Sequence, residues 1–382
     1  MALPKLKSVL PPGIAVGLIA AVWSSAAIAA TAPSTEAQAA LSRHPYELLA
    51  HTPSGGVPNG PASDPALSGD SRISRYAGYT SSATDIVAGS GGFRNVYVVS
   101  RAGLWGDNGT PWRQGATMLV SRGLAGQPAN GDSWGPSFDG YEYGVGGRLR
   151  VAVPKCVAFV SAASNLAPGD TNGHADVFVG RLPNGGITRI ATPSAASYVD
   201  VDALCRQVAY VADGTAYVQA ANGRGRPQRR SPRGGVTSAF ISGNDHLVTF
   251  ERNGSIYTWH WHHGTHRVAQ GTGLTVSVYG TAAAFVSGDE ILSVNTLGTP
   301  RVTRIDQNPS GTVHGAEPSI TFGSHFIFYV TGPDVRSNIF GTLMGHCDDG
   351  SDAHQPAAGP HGNYVAFACS SGQVYLTYVG PK

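Results

Sequence analysis

A short apolar strand pattern recurs along the chain, separated each time by a few tens of polar and Gly-rich residues. In each copy, β-branched, aromatic and small apolar residues stand in a row, as expected of a buried strand bounded by turns. Seven copies align: Arg75–Tyr79, Val157–Val160, Val208–Val211, Leu247–Phe250, Ala283–Val286, Phe326–Tyr329 and Tyr364–Phe367. The longest interval, between the first two copies, contains a Gly-rich insertion between Leu104 and Gly115.

Each copy has the same neighbours. A short strand and a Gly-containing turn precede it, and a strand of alternating polarity follows it. The following strands are predicted at 95–99, 176–179, 216–218, 255–259 and 338–340. A fourth strand closes the unit, as at Ile187–Ile190 and His266–Ala269. Four antiparallel strands at this period predict an all-β fold, a single β-propeller of about seven four-stranded blades, with six as the alternative count.

The two ends of the repeat array complement each other. The last unit stops after Val374–Tyr378 and lacks a fourth strand, while Tyr46–His51 precedes the first full unit without a blade of its own. The N-terminal strand is therefore predicted to complete the last blade. Such closure removes the open strand edge that an incomplete ring would expose.

The first residues have the three-part layout of a secretory signal. Lys5 and Lys7 precede an uncharged apolar stretch from Val9 to Trp23, and Ala27 and Ala29 then supply small residues at the two positions that a signal peptidase reads. The apolar stretch is shorter than the roughly 20 residues that span a bilayer, which favours a cleaved signal over a retained anchor. We therefore predict a signal peptide at 1–29, a flexible linker at 30–44 and the propeller at 45–382. The mature protein is expected to be secreted, periplasmic or in the cell envelope, without a membrane span.

The charge balance of the chain disfavours nucleic acid as a partner. The chain has 26 basic and 24 acidic side chains, and loss of Lys5 and Lys7 would leave 24 of each. Proteins that bind nucleic acid usually carry an excess of basic residues, so a nucleic-acid partner is disfavoured. The protein is expected to be a monomer.

Four cysteines in an exported protein are compatible with two disulfides. Of the three pairings, sequence order favours Cys156–Cys205 and Cys347–Cys369, each joining neighbouring units.

One segment resembles a known family. Residues 159–173, read as FVSAASNLAPGDTNG and followed by Asp176–Val179, look like the TolB-like (WD40-like) propeller repeat of exported bacterial proteins. The resemblance is close over 134–192, moderate over 45–124 and limited to the strand core beyond. It implies a propeller but no particular function, because these repeats occur in proteins of several roles. The chain also lacks the separate N-terminal α/β domain of TolB itself.

The loop 169–176 is the most specific candidate site. Asp170, Asn172 and Asp176 alternate with other residues in a Gly-containing turn and offer oxygen ligands of the kind calcium prefers. The alternative is a tight loop in which Asp and Asn side chains bond their own backbone. Calcium is the one cofactor that the sequence suggests.

Three further motifs are better explained as structure. Trp259–His266 contains a histidine cluster that zinc or copper could use, but a solvated hairpin with aromatic packing is favoured. The five arginines within 224–233 could meet an anionic surface, although charge on an outer strand also blocks edge-to-edge aggregation. Gly131–Gly135 fits the G-x-S-x-G string of serine hydrolases, yet a Pro follows it and no helix does.

The sequence contains no coherent catalytic set. We therefore expect an exported, non-enzymatic propeller that binds or scaffolds a protein, peptide or glycan. The alternative is a propeller enzyme, glycoside-active or lyase-type, with carboxylates converging at the central channel. Its candidate acids lie in or near strand-edge loops: Asp139, Asp200, Asp202, Asp245 and Asp289.

Overall fold

The computed structural model describes residues 46–378 of the chain with a number of short gaps. The gaps are 70–73, 103–113, 141, 146–147, 152, 184, 309–310, 313–314, 322–325, 340, 360–361 and 363. The predicted signal peptide and linker, and most of the Gly-rich insertion after Leu104, lie outside the described residues. None of the described helices is long and apolar enough to cross a membrane.

Seven four-stranded antiparallel sheets form the blades. The strands are numbered along the chain from β1 (Tyr46–Leu48), and each blade begins with its innermost strand. Blade 1 contains β2 (Ala62–Leu67), β3 (Tyr76–Ser81), β4 (Asn95–Arg101) and β5 (Gln114–Leu119). Blade 2 contains β6 (Ser133–Phe138), an inserted hairpin of β7 (Glu142–Val145) and β8 (Arg148–Val151), then β9 (Cys156–Ser161), β10 (Asp176–Arg181) and β11 (Ile187–Ile190).

The remaining blades follow the same order. Blade 3 contains β12 (Ala196–Val201), β13 (Gln207–Ala212), β14 (Thr215–Ala220) and β15 (Gln228–Arg229). Blade 4 contains β16 (Val236–Ile241), β17 (Leu247–Arg252), β18 (Ser255–His260) and β19 (Gly264–Gln270). Blade 5 contains β20 (Thr272–Val276), β21 (Ala282–Ser287), β22 (Glu290–Asn295) and β23 (Val302–Arg304), followed by a small hairpin of β24 (Gln307–Asn308) and β25 (Gly311–Thr312).

The last two blades bring the ring back to the N-terminus. Blade 6 contains β26 (Ala316–Ile320), β27 (Ile327–Thr331), β28 (Asp334–Ser337) and β29 (Leu343–His346). Blade 7 contains β30 (Ala353–Ala358), β31 (Tyr364–Cys369) and β32 (Val374–Tyr378), and β1 pairs with β32 as its fourth strand. The predicted closure is confirmed, because Tyr46 lies opposite Thr377 and Leu48 opposite Tyr375.

The recurring apolar pattern is the second strand of each blade, and it is buried because the strand lies inside the sheet with blades on both faces. Large aromatic side chains on this strand face an aromatic on the third strand in five blades. The directly opposed pairs are Tyr79–Tyr97, Phe159–Phe178, Tyr210–Tyr217, Phe250–Tyr257 and Phe367–Tyr375, with ring centroids 5.3–5.9 Å apart. Opposed aromatic pairs stabilise antiparallel sheets, so each blade carries its own packing unit.

The turn after the innermost strand is held by a side-chain oxygen in six blades. Each oxygen accepts the N–H of a residue at the start of the second strand. The capping residues are Ser68, Asp139, Asp202, Ser242, Ser277 and Thr321. Asp and Ser side chains favour turns for this reason. Because this capping position directly follows the innermost strand in each of these blades, Asp139 and Asp202 directly follow the innermost strands of blades 2 and 3.

Two details of the strand assignment differ from the prediction. The third strand of blade 6 is Asp334–Ser337 and not 338–340, where the prediction was wrong. Asn338 instead follows the strand, and its side-chain oxygen accepts the N–H of Ile327. The hairpin of β7 and β8 was not predicted. It lies in the interval between two predicted strands, and the intervals between the repeats vary too much in length to reveal an insertion.

Both predicted disulfides are present. Cys156–Cys205 links blade 2 to blade 3, and Cys347–Cys369 links blade 6 to blade 7. Two disulfides are typical of an oxidising compartment outside the cytoplasm.

Candidate binding site at the propeller channel

The innermost strands surround a central cavity. We call the face at which these strands begin the front face and the face at which they end the rear face. Each innermost strand has a register shift next to its front end. Five of these bulges contain a residue with positive φ: Asp64, Gly135, Gly273, Glu317 and Gln355.

Proline follows the bulge residue in four blades, at Pro65, Pro136, Pro318 and Pro356. The innermost strand is an edge strand, because only its outer side pairs with the second strand. Proline lacks an N–H and is tolerated in a sheet at such an edge. The bulges and prolines therefore block further strand pairing in the channel and turn the bulge side chains toward its front mouth.

The cavity has a volume of about 460 Å³. All seven innermost strands, or the turns at their ends, contribute to its lining, so it lies on the axis of the ring. Small-molecule sites commonly fall in the range of roughly 300–1,000 Å³, and this cavity could hold one sugar ring or one amino-acid side chain.

One residue before the rear end of the innermost strand, side chains link neighbouring blades. At this position in four blades, a side-chain oxygen accepts the backbone N–H of the next blade's innermost strand. The pairs are Ser137 with Val201, Asp200 with Ile241, Thr275 with Ile320 and Ser319 with Ala358, at 2.9–3.4 Å. We call this set of bonds the wall belt. The same position is occupied by Ala66, Phe240 and Ala357 in the other blades, which offer no acceptor.

Asp200 is the one carboxylate in the wall belt. Its Oδ2 accepts the N–H of Ile241 at 2.9 Å, and its Oδ1 accepts the hydroxyl of Ser137 at 2.8 Å. Burial raises the pKa of Asp200 to about 6, and the hydrogen bonds from Ile241, Ser137 and Val201 act in the opposite direction. Both oxygens are therefore already engaged in holding blades 2, 3 and 4 together.

At the front mouth, a second polar chain joins blades 6, 7 and 1. A carboxylate oxygen of Glu317 accepts the N–H of Gln355, and the side-chain oxygen of Gln355 accepts the N–H of Asp64 at 2.8 Å. The amide nitrogen of Gln355 donates to Asp64 Oδ1 at 3.0 Å, and His354 contacts Glu317 at 3.0 Å. We call this set the mouth belt. It lies at the bulges, where Gln355 is exposed.

The opposite side of the channel is aromatic. Trp134 lies at the front of blade 2, where its indole N–H donates to the carbonyl of Ser197 at 3.1 Å and the Arg94 guanidinium lies 5.6 Å from its ring. Tyr198 and Phe240 follow on blades 3 and 4, in an edge-to-face contact at 5.4 Å. All three aromatic residues line the cavity, as does Asp64 of blade 1, the blade next to blade 2.

The candidate acids of the enzyme hypothesis occupy different environments. Asp139, Asp200 and Asp202 are close enough in blades 2 and 3 for their charges to interact. Of the five acids, only Asp200 lines the cavity, since Asp139 and Asp202 are the buried turn caps described above. Asp245 forms an ion pair with Arg206 at 3.3 Å on the rear face, and Asp289 lies on the turn between β21 and β22.

The predicted calcium loop lies on the front face between β9 and β10. Its carboxylates contact Arg189, whose guanidinium lies 2.9 Å from Asp170 Oδ1 and 2.5 Å from Asp176 Oδ2. Asn172 also donates to Asp176, at 3.0 Å. A calcium ion would have to displace this arginine, because the two positive groups compete for the same oxygens. The calcium site stays a prediction, which a calorimetric calcium titration tests.

The histidine cluster lies in the hairpin turn between β18 and β19. His260 and His263 stack with centroids 4.7 Å apart, and Trp261 is 56% exposed beside His246. On blade 3, Arg230 lies over the Trp259 ring of the next blade at 4.0 Å.

The sequence did not identify Trp134, Tyr198 or the mouth belt as part of one site. A signal was present for the mouth belt: a polar residue followed by proline occurs near the start of three innermost strands, at Asp64, Glu317 and Gln355. Within Gly131–Gly135, the serine-hydrolase string points to Ser133, whereas the neighbouring Trp134 is the residue that lines the cavity. Ser133 is buried and donates to Ser161 at 2.8 Å.

No protein-family model matches the sequence, and no curated protein matches it either. Among solved structures, a nidogen/laminin complex is similar at 13% identity and a TM-score of 0.45, covering 72% of this chain and 95% of that chain. A gluconolactonase from Xanthomonas campestris is similar at 14% identity and a TM-score of 0.37, covering 58% and 82%. These values transfer no function, and the strand topology alone establishes the chain as a seven-bladed β-propeller.

Proposed function

We propose that this protein is an exported binding protein that takes a sugar residue of a glycan into the front mouth of its channel. The observation that carries the proposal is the two-sided lining of the 460 Å³ cavity. Trp134, Tyr198 and Phe240 form an aromatic side, and Asp64 stands on the polar side.

This lining matches the chemistry of a pyranose ring. The faces of such a ring are apolar C–H surfaces, which pack on aromatic side chains, and its edges carry hydroxyls that need acceptors and donors. A peptide side chain or a protein loop would use the same cavity differently, because it would bring backbone groups to the exposed mouth belt. The glycan is therefore the partner to test first.

Binding is favoured over catalysis because both carboxylates that line the cavity are committed to structure. Asp64 accepts hydrogen bonds from Gln355 and Thr80 through its two oxygens. Asp200 already accepts hydrogen bonds through both oxygens. A general acid or base needs an oxygen within hydrogen-bond reach of the substrate. The enzyme alternative keeps a direct test: turnover of a bound glycan that disappears in Asp200→Asn would support it and contradict a binding role alone.

The experiment measures thermal shifts of the mature protein on panels of oligosaccharides and short peptides, followed by calorimetry on any hit. Trp134→Ala is expected to weaken glycan binding about tenfold or more, since stacking on the indole would be lost. Trp261→Ala is the matched control, because that tryptophan lies on the rear face and is 56% exposed. Binding of peptides only, or equal losses in both variants, would contradict the glycan proposal.

We propose further that the protein belongs to the TolB-like propellers of exported bacterial type and is delivered by a cleaved signal. The three-part N-terminus, the two disulfides and the 159–179 motif support this. N-terminal sequencing of the protein recovered from outside the cytoplasm tests it. A first residue near Ala30 is expected, whereas an intact Met1 in a membrane fraction would indicate a retained anchor.

A further inference from the structure

The disulfide between blades 2 and 3 is flanked by a carboxyl group and a guanidinium group. Arg181 Nη1 lies 3.1 Å from Cys205 Sγ. A carboxylate oxygen of Asp139 and the sulfurs of Cys156 and Cys205 all lie within 4.8 Å of one another. Within the described part of the chain, no carboxylate lies that close to both sulfurs of the Cys347–Cys369 disulfide. The two disulfides of this protein therefore have different chemical surroundings.

Of the two oxygens of the Asp139 carboxyl, only Oδ1 accepts hydrogen bonds from the residues that the structure describes. Its Oδ1 accepts the N–H groups of Lys155 and Cys156 at 2.8 and 2.9 Å. Its Oδ2 is buried and has no hydrogen-bond partner among the residues that the structure describes. A buried oxygen without a partner is costly unless the carboxyl carries a proton or serves a reaction.

The surroundings of Asp139 keep its proton available near neutral pH. Burial raises the pKa of Asp139 to about 7, the neighbouring charge of Asp202 acts in the same direction, and Lys155 opposes them. The guanidinium of Arg181 contacts Cys205 of the same disulfide. A cation beside a sulfur stabilises its thiolate.

We propose that Cys156–Cys205 is a redox-active disulfide that exchanges with an external dithiol, with Asp139 as the proton donor and Arg181 as the thiolate-stabilising group. This role is separate from ligand binding in the channel. It adds a reaction site on the rear face, at the turn after β12 that carries Cys205.

The exchange proceeds in two displacement steps. A thiolate of the dithiol attacks Cys205 Sγ, because Cys205 is the less deeply buried residue of the pair, at 6% exposure against 0% for Cys156. A mixed disulfide forms, the Cys156–Cys205 bond breaks, and the leaving Cys156 thiolate takes the proton of Asp139.

In the second step, the other thiolate of the reductant attacks its own sulfur in the mixed disulfide. The Cys205 sulfur leaves as a thiolate beside Arg181, and the reductant departs as a disulfide. Two electrons pass from the dithiol to the protein disulfide. Of the two protons that the dithiol loses to solvent, one is balanced by reprotonation of Asp139, so a single proton remains in solution.

The experiment compares the two disulfides in one sample of native, mature protein. The protein is incubated with dithiothreitol, free thiols are trapped with iodoacetamide at timed intervals, and peptide mass spectrometry reports each disulfide separately. We expect Cys156–Cys205 to be reduced at least ten times faster than Cys347–Cys369. Equal rates, or reduction of Cys156–Cys205 only in denaturant, would overturn the proposal.

Asp139→Ser isolates the acid from the turn cap. Serine caps the equivalent turns at Ser68, Ser242 and Ser277, so this variant keeps the turn while removing the proton donor. Asp139→Asn, which keeps the shape, is the second variant. Both are expected to slow reduction of Cys156–Cys205 about tenfold at pH 7, to flatten its pH dependence and to leave Cys347–Cys369 unchanged. An unchanged rate in the variant that folds would show that Asp139 only caps the turn.

Discussion

The two belts of the channel use the same hydrogen-bonding device at different positions along the innermost strands. The wall belt, in blades 2 to 4 and 5 to 7, places Asp200 one residue before the rear end of β12, where it accepts the N–H of Ile241. In blades 6, 7 and 1, the mouth belt places Glu317 and Gln355 at the exposed front. In both belts, a side chain of one blade accepts a backbone N–H of the next.

The difference in depth decides what each belt can do. A buried acceptor that is removed leaves its donors without a partner, whereas at the surface water replaces it. The wall belt is therefore expected to matter for stability. The mouth belt keeps side chains in contact with solvent and is the part of the channel that a ligand can use. The same hydrogen-bonding device thus serves cohesion in the wall belt, whereas in the mouth belt it leaves side chains available to a ligand.

The largest effect on the free energy of unfolding is expected where β1 closes the ring in blade 7. Leu49 is fully buried directly after β1, in the core shared by blades 7 and 1. Leu49→Ala should lower the free energy of unfolding by about 3 kcal/mol, through lost burial and the cavity left behind. Urea denaturation measures it. Leu48→Ala, at a half-buried position of the same strand, is the control and should cost about 1 kcal/mol. Equal losses would mean that closure does not depend on the buried core.

The wall belt is tested by Asp200→Ala. The substitution removes the acceptor of the Ile241 N–H and the Ser137 hydroxyl. We expect a loss of about 2–3 kcal/mol in the free energy of unfolding, since the N–H of the buried Ile241 and the hydroxyl of the half-buried Ser137 lose their partner. Chemical denaturation at pH 7 provides the value. A loss smaller than that caused by Glu317→Ala in the mouth belt would show that the wall belt is not the more important of the two for stability.

The pH dependence of stability gives a third test. Because the pKa of Asp200 is raised from 3.8 to about 6 in the folded protein, folding favours its protonated form. Its contribution is fully present below about pH 4 and is lost as the pH rises through about 6, by about 1–3 kcal/mol.

Asp200→Asn does not ionise and should be free of this loss. The stability of the variant relative to wild type is therefore expected to increase between pH 4 and pH 7. Urea denaturation at a series of pH values gives this difference directly. A difference that stays constant with pH would show that folding does not raise the pKa of Asp200.

The smallest effect is expected at the mouth belt. Glu317→Ala removes the acceptor of the Gln355 N–H, a carboxylate on a side chain that is 41% exposed. Water can replace the carboxylate, so the free energy of unfolding should fall by less than about 1 kcal/mol. The same denaturation assay measures it, with Gln355→Ala as a companion. A loss as large as that of Asp200→Ala would show that depth in the channel does not govern the cost.

Most of the fold could be predicted from the sequence. The seven copies of the second strand, the closure by Tyr46–His51 and both disulfide pairings follow from the spacing of local patterns, and the structure contains them. The prediction failed at 338–340, because alternating polarity after Asn338 resembled a strand while Asp334–Ser337 already filled that place. The β7–β8 hairpin was missed because an insertion does not disturb a repeat whose spacing already varies.

The candidate site could be predicted only in part. Asp139, Asp200 and Asp202 look alike in the sequence, since each lies at or beyond the end of an innermost strand. In the structure, two of them cap turns and the third links two blades across the channel wall. Their separation depends on a one- or two-residue difference in register, which hydrophobic patterning does not resolve.

The sequence by itself determined the blade, because each blade is built from contacts between residues close in the chain. The period, the buried second strand and its opposed aromatic partner are all local. Only the tertiary structure decided what the seven blades share: which side chains face the cavity, which acceptors bind a neighbour's N–H, and which acid lies beside a disulfide. The hydrogen bonds of the two belts join residues 37 to 291 positions apart, and the full set exists only once the ring has closed.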